Sequence, residues 1–149
     1  MDFKSKLQKS QQKNNSLVCV GLDPDSAKVE GSLDVLAFNK ELIRTTADLV
    51  CAYKPNSAFY EAYGIDGLKI LKLTIEFIQE NYPEIPIILD AKRADIGSSS
   101  QMYAKQVYDY FEADACTLSP YLGEDSILPF LKRKDKGAVV LCRTSNPSA

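Results

Sequence analysis

Short, almost wholly apolar runs alternate along the chain with longer stretches in which apolar residues recur every three or four positions. The short runs are "SLVCVGLD" (16–23), "DLVCAYK" (48–54), "IPIILDAK" (85–92), "DACTLS" (114–119) and "GAVVLCRTS" (137–145). They lack the in–out alternation of a half-exposed sheet, so they predict strands covered on both faces. Between them, "SLDVLAFNKELIRTTADL" places Leu33, Leu36, Ile43 and Leu49 near helical spacing. "DGLKILKLTIEFIQENYP" does the same with Leu68, Leu71, Ile75 and Ile78 and stops before Pro83. "SSSQMYAKQVYDYFEA" opens on serines, which suit a helix N-cap. The basic stretch "KRKDK" (132–136) lies where a helix should end, and lysines there complement the helix dipole.

Strand–helix alternation argues for parallel βαβ units. Parallel strands carry all their C-terminal ends to one side, and here those ends are polar. The first run finishes in Asp23, the second in Lys54, the third in Asp90 and Lys92, the fifth in Thr144 and Ser145. Residues i and i+2 of a strand share a face, so Asp90 and Lys92 are expected to project together. Polar groups converging at strand ends describe the active face of a (β/α)₈ TIM barrel. An open doubly wound sheet also binds ligands at that edge, but no run is followed by GxGxxG or GxxxxGK. A closed barrel takes about 250 residues. The 149 residues hold five such units, so the expected fold is α/β, the first five or so βα units of a barrel, forming one incomplete domain.

Composition narrows the chemistry. The chain is 45% hydrophobic and 26% charged with a net charge of −2, which gives no field to attract nucleic acid or an anionic membrane. No apolar run approaches the about 20 residues of a membrane span, and the polar start lacks a signal-peptide core. A cytoplasmic location is expected. There is no histidine, and Cys19, Cys51, Cys116 and Cys142 form no CxxC pair. A zinc site and histidine acid–base catalysis are therefore not expected; the four thiols read as reduced core residues. Tyr60, Tyr63, Tyr103 and Tyr108 read as packing residues.

What remains is the charge crowded into "DAKRADIG" (90–97). That segment resembles the DxKxxDI signature of the orotidine 5′-phosphate decarboxylase family. "GLDPD" resembles the family's first-strand aspartate and "YKPNSAFYEAYG" its second-strand lysine loop. "LSPYLGEDSILPF" and "CRTSNPS" resemble the next two segments of its bacterial type 2 branch. The resemblance is collinear from about residue 17 to the end, and five segments in order are far more specific than DxKxxD alone.

The resemblance implies a role for each position. Lys92 would donate the proton to C6 of the pyrimidine, and Lys54, Asp90, Lys92 and Asp95 would form an alternating charge network. Asp95 would reach into the site of a second subunit, giving a homodimer with shared active sites. Asp23 would bind the ribose with Asn56 beside it, and Ser99, where the family often has threonine, would face the same sugar. Ser145, with Thr144, would hold the pyrimidine amide edge. The substrate would be the nucleotide orotidine monophosphate, with no cofactor and no metal. Its phosphate would be gripped by a glutamine and an arginine beyond the fifth strand.

The residue types fit such a reaction. Loss of CO₂ from C6 leaves a carbanion with no adjacent electron sink, and an ammonium group beside it both stabilises and protonates it. Carboxylates around a lysine favour its charged form. Three other readings stay open. A magnesium-dependent sugar-phosphate lyase or aldolase of the same superfamily shares DxKxxD but usually has a glutamate where Lys54 stands. A Schiff-base aldolase would need Lys54 or Lys92 unprotonated, against the neighbouring carboxylates. A non-catalytic, inactive fragment is the third.

Overall fold

The computed structural model describes residues 1–25 and 35–148. Each of the five apolar runs contains a strand: β1 Cys19–Leu22, β2 Ala52–Pro55, β3 Ile88–Arg93, β4 Ala115–Leu118 and β5 Gly137–Val140. β1 pairs with β2, β3 with β4 and β4 with β5, all parallel. The parallel bridges Tyr53↔Ile87 and Asn56↔Asp90 join β2 to β3. The strands therefore follow one another in chain order, as in the first arc of a barrel. Burial on both faces holds only in the middle of that arc. β4 is buried throughout, whereas Val18, just before β1, and Val139 and Val140 of β5 are exposed. Among the described residues the outer strands have a strand neighbour on one side only, so the expectation of full cover fails there.

The helices cover the arc with the faces their spacing predicts. In α2 (Val35–Thr46), Ile43 is fully buried; in α4 (Gly64–Asn81), so are Leu71, Ile75 and Ile78, with Leu68 packed against them. Each such side chain contributes roughly 1.5–3 kcal/mol on burial. Leu49 departs from its expected place: α2 ends at Thr46, and Leu49 is exposed in the turn beyond it. Leu33 falls outside the described residues. Between these helices a buried Asn39 amide donates to the Tyr60 hydroxyl (3.0 Å) and to Thr74 (3.1 Å). Tyr60, in the single turn α3 (Ala58–Glu61), passes its own proton to the carbonyl of Leu22, pinning the end of β1. Tyr60, Tyr103 and Tyr108 pack as expected, but Tyr63 is half-exposed at the start of α4.

Two elements differ from the sequence reading. Helix α5 (Gly97–Lys105), continued by a π-helical turn at Gln106–Tyr110, has Ile96 rather than a serine at its N-cap. Ser98 to Ser100 lie inside the helix, and the fully buried Ser100 hydroxyl donates to the Ser126 carbonyl (2.6 Å) in the turn before α6 (Leu128–Leu131). α6 ends at Leu131, so the basic stretch does begin at a helix end.

The polar N-terminus, which carries no apolar stripe, forms α1 (Phe3–Asn14) across the N-terminal ends of the strands. Asp2 caps it by accepting from the Ser5 amide. Lys6 pairs with Asp114 ahead of β4 (2.8 Å), and Asn14 donates to the carbonyls of Ala47 and Val50 ahead of β2. Phe3 packs so closely on Gly137 that a Cβ there would lie 2.3 Å from its ring. Polar contacts and one ring dock this helix, so hydrophobic periodicity could not find it. Of the cysteines, Cys51 and Cys116 are buried as expected, whereas Cys19 and Cys142 are exposed near the outer strands. Among the described residues no helix is long and apolar enough to cross a membrane.

Candidate functional site

The polar strand ends do meet on one side of the sheet. Lys54, near the end of β2, extends its ammonium to Asp90 Oδ2 at 2.9 Å, and Lys92 reaches Asp90 Oδ1 at 2.6 Å. Asp90 is nearly buried between them, while the Lys92 side chain is 49% exposed and stands at the open face. The carboxylate thus has a cation on each oxygen, and one of those cations keeps access to a ligand.

The local backbone explains how Lys92 gets there. β3 advances from Leu89 to Arg93 while β4 advances only from Cys116 to Leu118, so Asp90, Ala91 and Lys92 form a bulge. Lys92 sits within it at φ 47°, in the left-handed region. That conformation costs a side-chain-bearing residue roughly 1–2 kcal/mol, and bulges beside functional sites commonly re-aim a side chain. Asp90 and Lys92 converge as expected, but through this bulge rather than through the pleat of a regular strand.

A residue absent from the sequence reading completes the cluster. The Thr117 hydroxyl, from β4, donates to Asp90 Oδ1 at 2.7 Å and accepts from the Lys92 amide at 2.9 Å. Its run was the one of the five from which no site residue was expected, and a threonine inside "DACTLS" reads as an ordinary strand former. Its only signal was a hydroxyl set between the apolar residues of what becomes β4.

The electrostatics follow from these contacts. Burial pushes the Asp90 carboxyl up, but hydrogen bonds from Lys92, Lys54 and Thr117 outweigh it and hold the group at about 2. Burial pulls the Lys54 ammonium down, yet its hydrogen bond and charge interaction with Asp90 leave it above its ordinary value. Taking such charges out of water costs several kcal/mol per ion, and close pairing with further hydrogen bonds offsets it. Lys54 is accordingly a fixed cation, ill suited to attack a carbonyl.

The other expected site residues have separate contacts. Asp23, just past β1, accepts from the Asn56 amide at 3.1 Å, so these two are adjacent at the ends of β1 and β2. Asp95 is in neither lysine's ion pair. Its Oδ1 accepts from the Ile96 amide at 2.7 Å, and its own amide donates to Ser100 Oγ at 3.0 Å, which turns the chain away into α5. Ser99 is half-buried in the first turn of α5. Thr144 and Ser145 are exposed beyond β5, where the Thr144 hydroxyl lies 2.7 Å from Asn146 Oδ1. Arg93, next to Lys92, pairs with Glu61 and stacks on Tyr103, tying the end of β3 to α3 and α5. A groove of about 580 Å³ between α5 and α6 contains none of the charged cluster.

Comparison with known proteins places this arrangement. Residues 16–149 match the model of the orotidine 5′-phosphate decarboxylase / HUMPS family. Relatives named orotidine 5′-phosphate decarboxylase include one from Ralstonia pickettii, 47% identical over 98% of this chain and 55% of its own length. Another, from Herpetosiphon aurantiacus, is 50% identical over 97% of this chain and 55% of its own. The solved structure of Leishmania donovani OMP decarboxylase superposes with a TM-score of 0.88 at 37% identity, covering 99% of this chain and 56% of that one. The chain thus spans about half the length of the relatives it matches, and what it contains is a partial barrel. Strand order, charged strand ends and similarity along nearly all of the sequence agree that the chain belongs to the orotidine 5′-phosphate decarboxylase / HUMPS family.

Proposed function

We propose that this chain supplies the first five βα units of an orotidine 5′-phosphate decarboxylase, which converts orotidine monophosphate to UMP and CO₂. The observation that carries the reading is the Lys54–Asp90–Lys92 cluster, in which a buried carboxylate holds an accessible ammonium at the ends of the strands. In this reading Lys92 stabilises the carbanion developing at C6 and then protonates it. Asp90 and Lys54 keep it in place, Asp23 and Asn56 take the ribose with Ser99, and Thr144 and Ser145 take the pyrimidine edge.

Repulsion between Asp90 and the substrate carboxylate is a smaller effect. Two unit charges 4 Å apart at an effective dielectric of 20 interact by about 4 kcal/mol. That is roughly three decades of rate, where slow reactions need ten or more. Stabilisation of the transition state by Lys92 has to supply more than strain does.

The working unit is a two-fold dimer in which Asp95 completes the partner's site. In support, Asp95 takes no part in the ion pairs of Lys54 and Lys92 in its own chain. Ile96, next to it in the chain, is also 65% exposed, and the loop after β4 exposes Tyr121 at 91%. The magnesium-dependent lyase reading is disfavoured because both oxygens of Asp90 are already taken by ammonium groups.

The test is an assay of the full-length enzyme with orotidine monophosphate after dialysis against a chelator. Undiminished UMP formation is expected. Loss of turnover on chelation, restored by magnesium, would favour the lyase; no turnover with or without metal would overturn the decarboxylase.

A further inference from the structure

Thr117 makes two bonds that bear on the same lysine. A hydroxyl has one proton and two lone pairs, and an ionised carboxylate has no proton to give. The 2.7 Å contact to Asp90 Oδ1 therefore runs from Thr117 to the carboxylate, which leaves a lone pair for the Lys92 amide at 2.9 Å. Asp90 Oδ1 is also the oxygen that receives the Lys92 ammonium. The backbone of Lys92, its side-chain charge and the oxygen that holds that charge are thus tied through one hydroxyl.

Thr117 is 7% exposed, in a strand buried along its whole length, so water cannot readily replace it. Without the hydroxyl, the Lys92 amide in the bulge would lose its partner in the described structure, and Asp90 Oδ1 would keep one donor in place of two. We propose that Thr117 is a positioning residue for Lys92, fixing the bulge that aims the side chain and the carboxylate oxygen that holds it. This rests on the decarboxylase reading for its kinetic consequence but not for its geometry. Thr117 itself touches no reacting atom.

In the full-length enzyme, Thr117→Ser keeps the hydroxyl and Thr117→Val removes it from a side chain of nearly the same shape. A misplacement of about 1 Å can cost about 100-fold in rate. The valine variant is therefore expected to lose about that much in kcat for orotidine monophosphate, with KM changed by less than about threefold and a melting temperature that falls but stays above the assay temperature. The serine variant should stay within about threefold of wild type. Should the valine variant not fold, Thr117→Ala takes its place. The second readout is the ¹³C titration of the Asp90 carboxyl, whose midpoint should rise in the valine variant and not in the serine one.

A hydroxyl-free variant with more than half the wild-type kcat, or a serine variant as slow as the valine one, overturns the proposal. If the wild-type enzyme does not decarboxylate orotidine monophosphate, the functional reading fails. The Asp90 midpoint then still decides the positioning role: a rise confined to the hydroxyl-free variant supports it, and no rise overturns it.

Discussion

Asp90 accepts from Lys54, Lys92 and Thr117, and its ionisation is what lets two ammonium groups share one place. Its folded-state value of about 2 lies below the ordinary 3.8. The linked stabilisation is therefore present above the unfolded-state value and is lost as pH falls through about 2. A shift of this size corresponds to roughly 2 kcal/mol. In Asp90→Asn that contribution is gone at every pH and the two lysines are left facing each other. Urea melts should show a stability gap between wild type and variant that is steady from pH 7 to pH 5 and narrows between about pH 4 and pH 2. A gap as wide at pH 2.5 as at pH 7 would show that the carboxylate is not held by these partners. At this scale the sequence was informative where charge interrupts an apolar run, as at Lys54, Asp90 and Lys92. It was mute where a hydroxyl does so, because the Thr117 hydroxyl is as compatible with plain strand packing as with a role in the cluster.

Among the elements, β3 does the most to shape the site, and it does so by being irregular. The rule that i and i+2 share a face put Asp90 and Lys92 together, yet the bulge and the left-handed Lys92 are what bring them there. Bulges leave no mark in an apolar pattern. The same limit hid α1, which is docked by Lys6, Asn14 and Phe3 rather than by an apolar stripe. It also misplaced the serines of α5, whose buried member bonds to Ser126 instead of capping the helix. By contrast α4 was legible almost to its last residue, because Leu71, Ile75 and Ile78 all face the core.

The turn from β3 into α5 carries Asp95 away from its own lysines, and the dimer proposal depends on that turn. Lys92→Ala and Asp95→Ala enzymes are each expected to be nearly inactive. Mixed under subunit exchange, half the dimers become hybrids, each with one site wild type at both positions, so activity should recover to about a quarter of wild type. Demonstrated exchange with no recovery would mean that Asp95 serves its own chain.

For the molecule as a whole, the five strands lie in chain order, all parallel, which is what the alternating pattern predicted. The pattern could not show which strands end the arc. β5 exposes both Val139 and Val140, which point to opposite faces, and Val18 is 55% exposed ahead of β1. For these 149 residues taken on their own, at roughly 25 cal/mol per Å² of apolar surface left in water, such residues would cost several kcal/mol out of a total stability of about 5–15. Unpaired strand edges of this kind also favour self-association. The charged cluster, however, draws only on β2, β3 and β4, the covered middle of the arc.

The central claim is that this cluster exists to present Lys92 to a carbanion. Lys92→Ala in the full-length enzyme tests it most directly, with turnover of orotidine monophosphate and affinity for UMP measured on the same preparation. Losing both the counter-charge and the proton source should lower kcat by at least about four decades, about 5.5 kcal/mol of transition-state stabilisation. UMP affinity should change by less than about tenfold, since the product offers Lys92 no developing charge. An alanine enzyme that kept a tenth of its turnover number would contradict the account.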